Sequence, residues 1–428
     1  MHLRRIVVIQ FVIATHMRNL GFAEATPNKK SIDVNDEFER RLAAKAIATF
    51  AHWTPEKVVD AVPLELKLDD NEEESQQRSN HPRRKKHESH LRMTNQKEKR
   101  KRRNHEKRNN ISQILTRSFS IETQTDGNIN GSKGYDNKQK YNERSHGQDS
   151  STAPLLSEVV EDSDWPYNGA IQSATGRILF RFSSDQVFKC SGTVIQDDTT
   201  ARSIVLTAAH CAYDDMLKEF ASMAVFIPDQ DGTLGSTSDF DCSNDVYGCW
   251  LLSFAVIERG WSSGSFPNNV GYDYAYYVVH DRSSTHLGGY SENVTGILDE
   301  DVTPMQIDFD LKLQNDFAVA LGYSDEYDPS FQYCSNKLSN MNGIDDYTNL
   351  WLSNCRMSGG ASGGPWTASM DESGVGKVVS INSWGYKSNS GVAGPVLRTK
   401  SGSFAECLFE KAKTAPDPGD VGGYVVDC

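Results

Sequence analysis

The sequence has no cysteine before Cys190, although the chain has 428 residues and 8 cysteines in all. An even number of cysteines confined to one part of a chain is typical of disulfides formed in an oxidising compartment. Metal binding is the alternative, but neither a Cys-x-x-Cys pair nor a His-Glu-x-x-His motif is present to support it. We therefore expect disulfides, no metal site and no cofactor. Eight cysteines alone allow 105 pairings.

The sequence also lacks an apolar run long enough to cross a bilayer, which takes ~20 residues. The apolar segment Ile6–Thr15 is about half that length, follows the basic segment Met1–Arg5, and precedes an Ala-x-Ala pattern at Ala23–Ala25. This order is typical of a secretory signal peptide. We expect a signal peptide over residues 1–25 and a secreted, extracellular protein with no membrane segment.

Large apolar residues are scarce between Glu72 and Ser151, so this stretch cannot bury a core and is predicted to be disordered. The first 160 residues contain 29 Lys and Arg against 22 Asp and Glu, whereas the rest of the chain contains 16 against 36. Basic residues concentrate in Pro82–Lys86 and Arg100–Arg103. Such runs bind polyanions, are cut by processing proteases, or are simply solvated. In an exported chain we favour processing, because Arg100–Arg103 resembles a furin-type site, and we expect no nucleic-acid partner.

A short helix is predicted at about residues 36–62, ahead of this linker. Phe38, Leu42, Ala46 and Phe50 recur at helical spacing, and His52–Lys57 offers a cap followed by proline. The Trp-Thr-Pro-Glu segment resembles a prosegment element of secreted bacterial trypsin-like proteins. A generic amphipathic helix is the alternative. Residues 26–160 are thus interpreted as a prosegment.

From Trp165 onward, short β-rich segments alternate with Gly, Ser, Asn and Asp turns, a pattern that predicts an all-β fold. A helix is expected at Ser403–Lys413, packed on the second half of this domain. The strands are predicted at Ile178–Phe182, Ser191–Ile195, Ser203–Thr207, Met223–Pro228, Phe317–Tyr323 and Val378–Asn382.

Three segments carry the elements of nucleophilic catalysis. Ser362 lies in the Gly-rich segment Gly359–Pro365, and His210 follows the apolar strand Ser203–Thr207. A serine hydroxyl needs an adjacent base, and glycines let backbone N–H groups approach a substrate carbonyl. Asp273 opens an apolar strand between them and is the candidate carboxylate that orients the histidine. The competing carboxylates do not open such a strand; they are Asp281, Asp299 and Asp301.

These motifs resemble the chymotrypsin/trypsin superfamily of serine peptidases, whose chain order is His, Asp, Ser. The resemblance covers roughly Trp165–Lys413 and implies a peptidase domain over residues 161–428. It also implies two six-stranded antiparallel Greek-key β-barrels with a C-terminal helix. The implied oxyanion donors are the N–H groups of Gly360 and Ser362. The implied disulfides are Cys190–Cys211, Cys242–Cys249, Cys334–Cys355 and Cys407–Cys428.

Within the superfamily, the motifs are most similar to the V8 or glutamyl-endopeptidase-like branch and its secreted trypsin-like relatives. The resemblance implies that Ser383, Trp384 and Gly385 bind the substrate backbone and wall the primary pocket. Trp384 as core filler is the alternative. Arg356 stands at the pocket-base position and would favour acidic substrate side chains. Ala361 replaces the aspartate of the trypsin activation switch, so this switch cannot operate here.

The sequence therefore predicts a secreted serine endopeptidase made as a zymogen, which acts on polypeptides as a monomer. Two rivals remain: a catalytically silent homologue that binds peptides, and a basic N-terminal arm that binds polyanions. Asn110, Asn130 and Asn293 fit the N-glycosylation pattern, and of these Asn293 lies in the β-rich domain.

Overall fold

The computed structural model describes residues 34–68, 156–183, 186–236, 239–310, 317–342, 348–387, 390–397 and 405–428. All of them belong to one of the chain's two units, which comprises residues 1–69 and 153–428. The predicted signal peptide, both basic runs and the glycosylation patterns at Asn110 and Asn130 lie outside the described residues. Among the described helices, none has the length and apolarity needed to span a membrane.

The prosegment helix predicted at residues 36–62 is two helices. Proline disfavours helical backbone at the residue before it, so the first helix ends ahead of Thr54-Pro55 and a second begins at Pro55. Thr54 caps the second helix by accepting a hydrogen bond from the Lys57 N–H at 3.4 Å. The described α-helices are α1 (Val34–His52), α2 (Pro55–Asp60), α3 (Gly169–Ala174), α4 (Arg259–Ser263), α5 (Leu298–Asp301) and α6 (Ala405–Thr414).

Most of the remaining structure is β-sheet, as predicted. The strands up to residue 287 are β1 (Val62–Pro63), β2 (Leu66–Leu68), β3 (Val160–Asp164), β4 (Thr175–Arg181), β5 (Val187–Ile195), β6 (Arg202–Thr207), β7 (Tyr213–Asp214), β8 (Glu219–Phe220), β9 (Ser222–Pro228), β10 (Cys249–Leu251), β11 (Phe254–Glu258), β12 (Ala275–His280) and β13 (His286–Leu287). The later strands are β14 (Gln306–Ile307), β15 (Phe317–Gly322), β16 (Gln332–Lys337), β17 (Ser339–Asn342), β18 (Thr348–Ser353), β19 (Pro365–Ala368), β20 (Lys377–Ile381), β21 (Trp384–Tyr386), β22 (Gly391–Gly394) and β23 (Gly423–Val426).

The first barrel closes because one bent segment pairs on both sides. Strands β10 and β11 are separated by two residues; β10 pairs with β9, and β11 pairs with β12. The remaining antiparallel neighbours run β9-β4-β5-β6-β12. This gives six strands around a core that includes Ile178, Phe180, Val205, Phe226 and Val256, all fully buried.

The second barrel repeats this construction. Strand β16 pairs with β15 and continues as β17, which pairs with β18, while β20 pairs with β19 and continues as β21, which pairs with β22. Its apolar cluster includes Ala320, Leu350, Leu352, Trp366 and Val379. The expectation of two six-stranded antiparallel barrels is confirmed. Parallel pairings are additions to them: β1 with β5, β2 with β21, β14 with β20 and β23 with β11.

The C-terminal helix α6 is present, but it packs on the first barrel and not on the second as predicted. Its Phe409 ring lies 5.3 Å from that of Tyr276 on β12. Arg202 on β6 donates to the carbonyls of Ala412 and Ala415 at 2.9 and 2.8 Å, satisfying acceptors at the helix end. The tail then adds β23 to β11. Apolar contact and helix capping therefore both come from first-barrel strands.

The four cysteine pairs implied by the family resemblance are confirmed. Cys190–Cys211 links β5 to the segment after β6, and Cys242–Cys249 closes a short loop before β10. The remaining two pairs are Cys334–Cys355 and Cys407–Cys428. No cysteine is left free.

Burial raises the pKa of the Asp229 carboxyl to about 6, although Gln172 donates a hydrogen bond to it at 2.9 Å. Burial likewise raises the pKa values of Asp245 and Asp281 to about 6. In the unfolded chain such groups have pKa values of about 3.9. The native state therefore holds protons that the unfolded state has released, so its stability falls as pH rises from about 4 through 6.

We predict that Asp229→Asn flattens this pH dependence by about 2 kcal/mol, because the amide has no charge to desolvate. Urea unfolding of the purified chain between pH 4.5 and 7.5 measures it. Asp198→Asn is a matched control: Asp198 also has a left-handed backbone and a glutamine partner, Gln196, but its side chain is exposed. An equal change in both variants would contradict the burial argument.

Candidate active site

His210 and Asp273 meet at one edge of the first barrel because β6 and β12 are antiparallel neighbours. Thr207 at the end of β6 pairs with Ala275 at the start of β12. The segment that follows β6 and the segment that precedes β12 therefore lie side by side. His210 sits on the first, in a tight 3₁₀ turn, and Asp273 sits on the second.

The contacts of Asp273 fix the orientation of the His210 ring. Asp273 is fully buried, and its Oδ2 lies 2.8 Å from His210 Nδ1. Its Oδ1 accepts the backbone N–H of His210 at 2.9 Å. Ser383 of the second barrel donates its hydroxyl to Oδ2 at 2.5 Å. The carboxylate thus holds Nδ1 in its N–H form and leaves Nε2 as the basic nitrogen.

Ser362 lies in a tight turn that faces the histidine segment. Gly360 and Gly363 have φ of 94° and 82°, which side chains rarely tolerate, and a Cβ on Gly363 would lie 2.1 Å from Thr207 Oγ1. Ser191 of the first barrel donates its N–H to the Ser362 carbonyl at 2.8 Å. Cys211 Sγ lies 3.7 Å from the same oxygen. The turn is therefore held against the residue next to His210.

The Ser362 hydroxyl contacts the N-terminal segment that precedes residue 69. Its Oγ donates to the Leu64 carbonyl at 3.0 Å, and the Gly360 N–H lies 3.4 Å from that oxygen. Among the described residues, His210 Nε2 has no hydrogen-bond partner and is buried. The Ser362 hydroxyl and the Gly360 N–H thus converge on one backbone carbonyl, that of Leu64.

The cavity beside Ser362 contains three of the four residues predicted to bind substrate. Ser383, Trp384 and Gly385 line it, Trp384 being buried against the Trp351 and Tyr386 rings. The N-terminal segment contributes Glu65, Leu66 and Lys67 to the lining. The second barrel contributes ten residues, all uncharged: Met357, Ser358, Ala361, Ser362, Asn382, Ser383, Trp384, Gly385, Gly391 and Val392.

Arg356 is the exception and requires a correction. It does not line the cavity; its side chain is 62% exposed and pairs with Glu161 at 3.0 Å. The cause is local: Arg356 donates its backbone N–H to the Glu161 carbonyl, and the next side chain, Met357, is the one that turns inward. Asn293, the predicted glycosylation position, is exposed.

Asn382 is a positioning residue whose role the sequence did not reveal. Its side-chain nitrogen donates to the carbonyls of Leu321 and Ala361 at 2.8 and 3.0 Å, and its oxygen accepts the Trp366 indole N–H at 2.7 Å. An amide supplies both donors and an acceptor. Asn382 therefore ties the serine turn to the second barrel.

A buried ionic network supports the same turn from the first barrel. Arg177 is 1% exposed and pairs with Asp328 at 2.5 Å, while Lys189 contacts Asp328 at 3.0 Å. Burial would raise the pKa of Asp328, but the charges of Arg177 and Lys189 hold it below its usual value. Arg177 also donates to the Tyr323 carbonyl at 2.6 Å, close to Gly360.

Known structures of similar fold include several peptidases. A thermostable serine protease, AL20, from an extremophilic microorganism is 23% identical, with a TM-score of 0.45 over 58% of this chain and 100% of its own. Protease Anisep from Arthrobacter nicotinovorans is 23% identical, with a TM-score of 0.44 over 59% and 99%. A Glu endopeptidase is 15% identical, with a TM-score of 0.41 over 61% and 99%.

No protein-family model matches the sequence, and no curated protein matches it either. At such identities and TM-scores the likeness assigns neither an activity nor a substrate. The strand register described above shows the two barrels. The contacts of His210, Asp273 and Ser362 are the basis for a proposal about catalysis.

We predict that Asn382→Ala lowers the free energy of unfolding by about 3 kcal/mol, because it removes three buried hydrogen bonds and leaves the Trp366 indole N–H without its acceptor. Urea unfolding measures the loss. Asn336→Ala is the control, since Asn336 donates to the Ser353 carbonyl at 2.8 Å in an exposed position. Equal losses in the two variants would show that Asn382 has no special part in holding the turn.

Proposed function

We propose that this chain is a secreted serine endopeptidase, made as a zymogen, that uses His210, Asp273 and Ser362 as its triad. The observation that carries the proposal is the buried Asp273–His210 pair beside a serine whose hydroxyl already contacts a peptide carbonyl. Four disulfides accord with an oxidising, extracellular compartment.

In the proposed reaction, His210 Nε2 takes the Ser362 proton while Oγ bonds to the substrate carbonyl carbon. The oxygen becomes an oxyanion, which the Gly360 and Ser362 N–H groups stabilise. His210 then returns the proton to the departing amine as the carbon–nitrogen bond breaks. Water, deprotonated by His210, hydrolyses the acyl-enzyme and regenerates Ser362. Asp273 stabilises the imidazolium in both halves of the reaction.

Once residues 34–68 have been removed, the secreted chain should react covalently with a fluorophosphonate probe, because the probe reports an activated serine. Ser362→Ala should abolish labelling, and Asp273→Asn should slow it by about 10⁴-fold by allowing the wrong tautomer. Ser222→Ala, at an exposed serine, serves as the control. Lack of labelling in the wild-type chain freed of residues 34–68 would instead support a silent homologue.

The ten second-barrel residues that line the cavity are all uncharged, and they indicate the class of substrate side chain. A charged side chain would lose hydration there without gaining a partner from the peptidase domain, so uncharged residues should be preferred. The acidic preference suggested by Arg356 loses its basis because that side chain points to solvent.

We predict that Arg356→Ala leaves the cleavage pattern unchanged, whereas Met357→Lys shifts it toward acidic residues by placing a cation inside the cavity. Mass spectrometry of a digested peptide library measures both. Enrichment of Glu or Asp in the wild-type digest, lost in Arg356→Ala, would restore the acidic hypothesis.

A further inference from the structure

The cleft is already filled by the chain's own segment Val62–Leu68, here called the strap. Strand β1 pairs with β5 through Val62 and Phe188, and β2 pairs with β21 through Leu66 and Trp384. The Leu64 N–H donates to the Lys189 carbonyl at 3.1 Å. The Lys387 N–H donates to the Leu68 carbonyl at 3.0 Å. The strap thus extends from the first barrel to the second across Ser362.

The strap contacts the nucleophile without presenting a bond for attack. Acyl transfer requires Oγ to approach the carbonyl carbon while the oxygen faces backbone donors. Here Ser362 Oγ donates its hydrogen to the Leu64 oxygen itself, which the Gly360 N–H also approaches. The hydroxyl proton is therefore directed away from His210, and the carbonyl holds the oxyanion donor. This geometry is inhibitory.

The strap is held by anchors outside the cleft. Trp53 is 4% exposed, packs with Val58 against the first barrel, and donates its indole N–H to the Met223 carbonyl at 2.9 Å. On α1, Leu42 packs against Leu251, and Lys45 donates to the Ser253 carbonyl at 2.6 Å. These contacts are made with the first barrel, away from Ser362. Among the described residues of 34–68, the strap is the part that contacts Ser362.

All of these contacts are made by residues 38–68, ahead of the linker. A cut anywhere in residues 69–155 severs the covalent connection but removes none of them. We propose that residues 34–68 form an inhibitory module that stays bound after such a cut, so that activation requires a second event that removes the module. The inference rests on the proposed peptidase function for its inhibitory part, whereas retention of the module stands by itself.

The test uses the full chain, cut in the linker by a protease specific for basic residues and then passed through a gel-filtration column. We expect the N-terminal fragment to elute with the peptidase domain and fluorophosphonate labelling to remain slow. Trp53→Ala should weaken retention by about 100-fold or more. It should therefore release the fragment after the cut and speed labelling. Val59→Ala, at an exposed neighbouring position on α2, should behave as wild type.

Leu64→Pro provides a second variant that spares the anchors. It removes the N–H donated to Lys189, so the fragment should stay bound while labelling accelerates. Hydrogen exchange supplies a readout without catalysis: the Lys387 amide should be protected in the cut wild type and lose protection in Trp53→Ala. Prompt release of the wild-type fragment, or rapid labelling while it remains bound, would overturn the inference. Retention with protection but no labelling in any variant would instead overturn the peptidase proposal.

Discussion

The buried carboxylate of Asp273 is the constraint on which the site depends. It accepts two hydrogen bonds from His210 and one from Ser383, so it joins a residue of the first barrel to one of the second. A fully buried carboxylate is costly unless its lone pairs are satisfied. The two barrels therefore dock so that Ser383 reaches the carboxylate that holds His210, and the same docking sets the serine turn against Thr207 and Cys211.

The serine turn is held from both barrels in a comparable way. Ser191 donates to the Ser362 carbonyl from the first, Asn382 donates to the Ala361 carbonyl from the second, and buried Arg177 lies close to Gly360. The turn is thus fixed by contacts from residues of both barrels, and none of these contacts involves a chain terminus.

Much of the fold and of the candidate site was predictable from the sequence, because short sequence motifs indicate them. The strands, the triad candidates and the four disulfides follow from local patterns with a family resemblance, and most predicted strand bounds lie within a few residues of the observed ones. The direction of Arg356 did not follow, because one residue's rotation in a turn depends on a tertiary partner, Glu161. The prediction that α6 packs on the second barrel was wrong for a similar reason. Its apolar face does not specify a barrel, and the contacts with Tyr276 and Arg202 that decide its position are tertiary. The pairing of the strap with β5 and β21 was not predicted, because Val62–Leu68 has no sequence feature that indicates which strands it would contact.

The strap follows from the same architecture that creates the cleft. Strand β6 pairs with β5 at Thr193–Ile195 only. On that side of β5, no barrel strand pairs with Phe188 and Lys189, and the strap pairs there instead. Strand β21 likewise has one side free of β22. Exposed strand edges bind any extended segment that reaches them, whether substrate or strap. Substrate must reach the cleft by diffusion, whereas the strap is delivered by anchors such as Trp53 at a high effective concentration. In the proposed zymogen, retention of the strap therefore depends on the anchors outside the cleft, such as Trp53, whereas inhibition also needs the contact between Leu64 and Ser362.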